Sequence, residues 1–329
     1  MSRPVKITGL GSYLPEQLPS SELDSSLGLP PGWSVKHTGV AARHRATFES
    51  NGYMGARALE QALDDSGLAL SSLDMIISAA ATFDYSIPNR ASIIKNELKD
   101  GGASSMPAID IDTTCLSFIT AVEFATALLD GSKYRRIGIV SSEISSHGLN
   151  PSNPETATLF GDGAAAIILE YCPDGNSSVI KTWHQTYSEG VYDTIYKGGG
   201  SRYPYKNHPY DPNLHSFSMN GKTLLRLAKI RLPEFMDWFF KDIPFSLSDV
   251  DAVIPHQASK AGISLFRDMF SIKDAQLKGN LSDKGNCIAA SIPMLLCDSV
   301  KAGQISRGDL CLLFGTSAGF TVGAVLLKY

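Results

Sequence analysis

The sequence predicts an α/β protein assembled from two copies of one unit, and three observations carry that reading. Helical and strand-like hydrophobic patterns alternate along the chain. An apolar helical stretch opened by Cys115 and followed, sixteen residues on, by Gly131 recurs from Cys287 to Gly303. Each copy continues into an apolar strand pattern and then a glycine-bearing one: Arg136–Ser141 and Gly161–Leu169 in the first half, Asp309–Phe314 and Gly319–Leu327 in the second.

Upstream, the strand pattern Leu73–Ser78 has its counterpart in Val250–Ile254. The division falls near residue 172: a half 1–172 carries Cys115, and a half 173–329 carries His256 and Asn286. Two such halves packed about a pseudo-twofold axis bring the amino ends of their equivalent central helices to one pocket. Two α/β halves that merely look alike remain the other reading of the pattern.

Composition removes several function classes. The 329 residues are 43% hydrophobic and 19% charged, enough to bury a large core in one large domain or two moderate ones. A net charge of -4 supplies no global basic field for nucleic acid or an anionic membrane. No apolar run has the length of a bilayer span. The amino terminus, Met1–Gly11, lacks the apolar stretch of a secretory signal. Five scattered cysteines with no Cys-x-x-Cys pair argue against a disulfide framework or a structural zinc site. These features together predict a cytoplasmic protein with no metal.

From Trp183 to Asn213 the regular pattern lapses. Gly198–Gly200, Pro204, Pro209, Pro212 and several tyrosines mark a long irregular excursion, the kind of segment that serves as a lid, a binding loop or a surface connection.

Three polar residues stand at points where α/β folds place chemistry. Cys115, in Asp112-Thr-Thr-Cys115, sits between the strand pattern Pro107–Ile111 and a helix. Free N–H groups and the helix dipole there are expected to lower the thiol pKa and to hold an oxyanion. His256 follows an apolar strand directly, with Pro255 aiming it. Asn286 stands at the entrance of the second central helix, where a helix cap and a catalytic amide donor both fit.

These residues, taken with their neighbours, resemble the ketoacyl-acyl carrier protein synthase III family of the thiolase superfamily. The resemblance runs in order through Trp33 to Arg43, Asp112 to Cys115, Phe160-Gly-Asp-Gly-Ala164, Pro255-His-Gln-Ala258, Gly285-Asn286 with Ala289-Ala-Ser-Ile-Pro293, and Gly319-Phe-Thr321. It implies a thiolase-like duplicated αβαβα five-layer fold and a Cys115, His256, Asn286 triad. The resemblance implies that Cys115 takes an acyl group from a thioester. In that family a malonyl thioester loses carbon dioxide, and its enolate attacks the acyl-cysteine to give a 3-ketoacyl product. A thioester stays activated toward carbon, and two neutral donors stabilise an enolate without a metal.

The resemblance further implies an oxyanion hole of the Cys115 and Ala318 N–H groups. It also implies substrate contacts from Trp33, His37, Ile87, Phe160, Gly221 and Phe320, and no cofactor beyond the coenzyme A or acyl carrier protein thioesters used as substrates. The family is homodimeric, and Ile87 is expected to reach into the neighbouring subunit's pocket. Two departures matter: His37 stands where the family commonly has an arginine, and Pro154 where it has another. Both point to altered coenzyme A recognition and favour a carrier-borne or unusual acyl donor. Lys222, Arg226, Lys260 and Arg267 form the expected docking patch for an acidic carrier protein; solvated helix faces are the plainer account of the same charges.

Other outcomes remain for the same residues: transfer of the acyl group to oxygen or nitrogen, a specialised metabolite, or a non-catalytic scaffold. A zinc or nucleotide enzyme such as a Rossmann dehydrogenase is disfavoured, because Gly9-Leu-Gly11 runs into Ser12-Tyr-Leu-Pro15 rather than a glycine-rich turn and helix.

Overall fold

In the computed structural model, which describes residues 2–173 and 175–329, the strand patterns assemble into two main sheets. The first holds β1 (Val5–Tyr13), β2 (Met75–Ala79), β3 (Ala108–Ile111), β4 (Arg136–Glu143) and β5 (Gly163–Tyr171) in the order β1-β5-β4-β2-β3. The second holds β6 (Ser178–Thr186), β7 (Ala252–Pro255), β8 (Leu310–Ser317) and β9 (Thr321–Lys328) in the order β7-β8-β9-β6.

Read from its other edge, β6-β9-β8-β7 repeats β1-β5-β4-β2. The pairing senses match as well. β1–β5 and β5–β4 are antiparallel and β4–β2 is parallel; β6–β9 and β9–β8 are antiparallel and β8–β7 is parallel. Even β3 has a vestige in the second half, an isolated parallel bridge from Val253 to Leu277.

Helices complete five layers. α1 (Asn51–Ser66) and α2 (Arg90–Glu97) cover the outer face of the first sheet; α4 (Gly221–Phe240) and α5 (Lys260–Met269) cover that of the second. α3 (Ser117–Leu128) and α6 (Ser291–Lys301) lie between the sheets. The sequence explains the assignment to layers. In α3, Phe118, Ile119, Ala121, Val122 and Ala125 are all buried, as befits a helix apolar on most sides. In α4, Leu227, Leu232, Phe235 and Phe239 form a buried stripe opposite Lys229 and Lys222.

One detail of the repeat differs from the sequence alignment on Cys115 and Cys287. Thr114 (φ 53°) and Ile288 (φ 47°) are both left-handed and open a 3-10 turn that leads into Ser117 of α3 and Ser291 of α6. The structural equivalents are therefore Thr114 with Ile288 and Cys115 with Ala289. Cys287, two residues earlier, is a core side chain that is 1% exposed. The equal Cys-to-Gly spacing arises because the second half carries two more residues ahead of its helix and two fewer between the helix start and the glycine.

The irregular excursion begins later than expected, because Trp183–Thr186 belongs to β6. It is closed by a two-residue ladder, Thr194–Ile195 with Ser218–Met219. Inside it, His215 is stacked between Tyr205 and Tyr210, with centroids 4.8 and 5.8 Å away. Among the described residues, no helix is long and apolar enough to cross a membrane.

Candidate active site

Cys115, His256 and Asn286, separated by up to 171 positions, all line one cavity of about 1360 Å³. The carboxyl ends of β3 and β7 deliver the first two, as expected for ligand-facing residues of α/β sheets. Between β3 and Cys115, the Asp112 carboxylate accepts the Thr114 N–H at 2.9 Å. Cys115 itself occupies the 3-10 turn ahead of α3.

The thiol does not follow the sequence expectation of a lowered pKa. Burial, followed by the nearby Glu143 carboxylate, pushes it up to about 12. The N–H groups of Ala318 and Cys115 face the sulfur and pull the other way. Removing the thiolate from water outweighs those two donors, so Cys115 rests as a neutral thiol. The same two N–H groups are the ones expected to receive an acyl oxyanion.

His256 is 5% exposed, and its own N–H donates to the Phe314 carbonyl at 2.7 Å. Gly315 makes this approach possible, since a Cβ there would lie 2.7 Å from the His256 Cβ. Nδ1 is 2.6 Å from Ser291 Oγ, leaving Nε2 for the cavity. Burial pulls the ring down to about 4, so the imidazole is neutral at pH 7. Ser291 Oγ also lies 2.8 Å from the Ile288 carbonyl oxygen. When the hydroxyl donates to that carbonyl it accepts from Nδ1–H; when it turns to Nδ1 the ring proton resides on Nε2.

Asn286 is anchored by main-chain pairing with the Phe160 segment: its N–H donates to Leu159 and its carbonyl accepts from Gly161. Gly285 permits this, with φ 68° and only 2.6 Å between a built Cβ and the Leu159 oxygen. Oδ1 accepts the Ile288 N–H at 2.9 Å, and Nδ2 donates one hydrogen to the Ala258 carbonyl at 3.1 Å. Capping and donation thus coexist in one amide, with the second Nδ2 hydrogen left for the cavity.

Glu143 was not singled out from the sequence. This carboxylate is 0% exposed at the end of β4. It accepts from Ala81 N–H, Thr82 N–H and Thr82 Oγ1 at 2.8, 2.9 and 2.6 Å. Burial raises it to about 7 against those donors and Arg90. A charged residue closing the otherwise apolar Ile137–Val140 pattern was the available signal. Ser291 was visible only as a letter in a motif, because its bond to His256 spans 35 positions.

Phe160, Gly221, Ala318 and Phe320 line the cavity. Trp33, His37 and Ile87 do not. Trp33 stacks on His37, one turn along the short helix Trp33–His37, at 4.3 Å and 19°. Ile87 is 87% exposed beside exposed Phe83 and Tyr85. Of the four cations, Lys222, Arg226 and Lys260 are exposed, and the Lys260 stem lies over Gly39. Arg267 is also partly exposed, with its guanidinium 2.9 Å from Asp268 and 3.8 Å from Asp274, two exposed carboxylates that offset part of its charge. The apolar wall comes from Leu224, Leu225 and Ala228 of α4 and Leu265 and Phe266 of α5.

Comparison with known proteins identifies the family. The family described as 3-Oxoacyl-[acyl-carrier-protein (ACP)] synthase III matches residues 109–188, and that described as 3-Oxoacyl-[acyl-carrier-protein (ACP)] synthase III C terminal matches residues 241–329. A beta-ketoacyl-[acyl-carrier-protein] synthase III of Rickettsia bellii is 30% identical over 327 residues, 98% of this chain and 99% of the relative. That of Vesicomyosocius okutanii is 29% identical over the whole of both chains. The crystal structure of the Aquifex aeolicus 3-oxoacyl-[acyl-carrier-protein] synthase III superposes with a TM-score of 0.88 at 28% identity, covering 99% of this chain and 100% of that one. The chain belongs to the 3-oxoacyl-[acyl-carrier-protein] synthase III family of acyl-transferring condensing enzymes.

Proposed function

We propose that the chain condenses an acyl thioester with a malonyl thioester through an acyl-Cys115 intermediate. The single observation that supports this most is the convergence of Cys115, His256 and Asn286 on one cavity with an apolar wall. In the first half-reaction the Cys115 sulfur attacks the acyl carbonyl, the oxyanion is held by the Cys115 and Ala318 N–H groups, and the thiol proton ends on the departing sulfur. His256 Nε2, neutral and unprotonated when Ser291 donates to Ile288, is suited to carry that proton across.

In the second half-reaction the malonyl group loses carbon dioxide. The resulting enolate oxygen is held by His256 Nε2–H and Asn286 Nδ2–H, and its carbon attacks the acyl-Cys115 carbonyl. Collapse releases the 3-ketoacyl thioester and the Cys115 thiolate, which takes a proton from solvent to return to the thiol. The Nε2–H donor requires the Ser291 hydroxyl to face Nδ1.

Carrier docking is assigned to Lys222, Arg226 and Lys260, which surround the Gly221 end of α4 and the start of α5; Arg267 is not included. A carrier-borne acyl donor is favoured over coenzyme A, since His37 and Pro154 replace the two family arginines and one face of Trp33 is already covered by His37. The working unit is a cytoplasmic homodimer in which Ile87 helps close the partner's acyl pocket.

Mass spectrometry after incubation with an acyl thioester and malonyl carrier tests the reading. Wild type is expected to gain the acyl mass on Cys115 and form a 3-ketoacyl product, Cys115→Ala neither, Asn286→Ala the acyl mass alone, and His256→Ala the acyl mass more slowly and no product. An ester or amide product overturns condensation; acyl labelling of Cys115→Ala overturns the nucleophile.

A further inference from the structure

The two halves of the molecule use one device at the entrance of their central helices. In the second half, the Asn286 Oδ1 accepts the N–H of Ile288, which is left-handed at φ 47°, and Ser291 Oγ donates to the Ile288 carbonyl. In the first half, the Asp112 Oδ1 accepts the N–H of Thr114, left-handed at φ 53°, at the same 2.9 Å, and Ser117 Oγ donates to the Thr114 carbonyl. Asp112 is thus the structural counterpart of Asn286.

We propose that Asp112 is a positioning residue that holds Thr114 in the left-handed region and thereby aims Cys115, and that Arg90 holds Asp112 in turn. The inference rests on the reading of Cys115 as the nucleophile. A β-branched residue at positive φ is a costly conformation that persists only where its surroundings over-determine it. Thr114 is held at its N–H by Asp112 and at its carbonyl by Ser117, and the next residue is Cys115. Release of the Thr114 N–H lets the backbone turn toward negative φ and carries the Cys115 sulfur and N–H with it.

The counterpart also bears on Arg90. Asn286 balances itself, because its amide donates to Ala258. A carboxylate has no hydrogen to donate, and that of Asp112, half-exposed, is met by water and by one cation. Arg90, 8% exposed at the start of α2, brings its guanidinium to 3.7 Å from Asp112 Oδ2 and its Nε to 3.2 Å from Asp110. Asp110 in turn accepts the Arg90 and Ala91 N–H groups at 2.9 and 2.8 Å, fixing α2 to β3. The loop that bears Ile87 ends at this arginine, so the subunit-contact loop and the nucleophile turn share one anchor.

The test is the single-turnover rate of Cys115 acylation, read as acyl mass against time, in Asp112→Ala, Asp112→Asn, Thr114→Gly and Arg90→Ala and in the Asp112→Ala/Thr114→Gly and Arg90→Ala/Thr114→Gly pairs. Asp112→Ala is expected to lose about tenfold or more in the acylation rate constant, with the acyl thioester concentration for half-maximal rate little changed. Asp112→Asn keeps the accepting oxygen and retains most of the rate. Glycine adopts positive φ without a prop, so Thr114→Gly restores the rate to both Ala backgrounds. A wild-type rate in Asp112→Ala overturns the proposal, and so does a pair that stays as slow as its Ala parent, which marks a charge or folding effect instead. If Asp112→Ala does not fold, Arg90→Ala with and without Thr114→Gly decides the matter in the same way. Acyl mass on Cys115→Ala counts against the nucleophile and leaves the role of Asp112 a separate measurement.

Discussion

Ser291 Oγ stands 2.6 Å from Nδ1 of His256, joining the start of the second central helix to the end of β7. One hydroxyl proton thereby selects which ring nitrogen carries the imidazole proton. Facing Ile288 it leaves Nε2 unprotonated, as the proposed thiol attack needs; facing Nδ1 it makes Nε2 a donor, as the proposed enolate needs. With the ring held near 4 by burial, both proposed half-reactions start from neutral His256, and the change of role needs the ring proton to pass from Nδ1 to Nε2 as the Ser291 hydroxyl turns.

Ser291→Ala is expected to separate the two half-reactions. Losing the hydrogen bond that orients Nδ1 should slow malonyl decarboxylation about tenfold, the worth of one buried hydrogen bond, while acylation of Cys115 changes much less. Carbon dioxide release and single-turnover acyl mass measure the two separately. Equal losses in both would show that Ser291 supports the fold alone.

The raised thiol makes a pH prediction with a definite sign. A Cys115 pKa near 12 means that thiolate is scarce at pH 7 and grows with each unit of pH. Iodoacetamide alkylation of Cys115 is expected to accelerate about tenfold per unit between pH 7 and 10. A rate that levels off below pH 8 would instead reveal the low-pKa thiolate that the helix entrance alone suggested.

Gly315→Ala is expected to injure the site from behind. The new Cβ would stand 2.7 Å from His256 Cβ and 3.0 Å from Leu116 Cδ2, with both neighbours packed. Overpacking of this kind costs about 1–3 kcal/mol, read as a lower denaturant midpoint. Displacement of the imidazole should lower condensation further than acylation. Unchanged turnover at reduced stability would show that His256 tolerates the shift.

Charge reversal of Arg226 and Lys260 to Glu is expected to raise KM for carrier-borne substrates and to spare a short thioester mimic. The wild-type carrier KM should rise with salt, and the double variant's should respond less, because exposed charges act through a screened field. Carrier kinetics identical to wild type would remove the patch. Arg267→Glu is expected to have little effect, since Asp268 and Asp274 already offset part of that charge.

Much of this protein was legible because it is written in local pattern. The strand of Leu73–Ser78 and that of Val250–Ile254, the apolar helix after Cys115, and the positions of His256 and Asn286 at element ends all follow from periodicity and punctuation that act over a few residues. The resemblance then joined those positions into one site.

The sequence by itself determined the α/β class, the duplication, and the identities of the thiol, imidazole and carboxamide. Only the tertiary structure decided the register of the repeat, since a two-residue offset before α6 is compensated by an equal one after it and cancels in the Cys-to-Gly count. It also decided the protonation of Cys115 and His256, because desolvation depends on what lies around a group in space. The partners Asp112–Arg90 and His256–Ser291 belong to the same category: a hydrogen bond or ion pair between residues distant in the chain is fixed by how layers pack, and no local pattern records it.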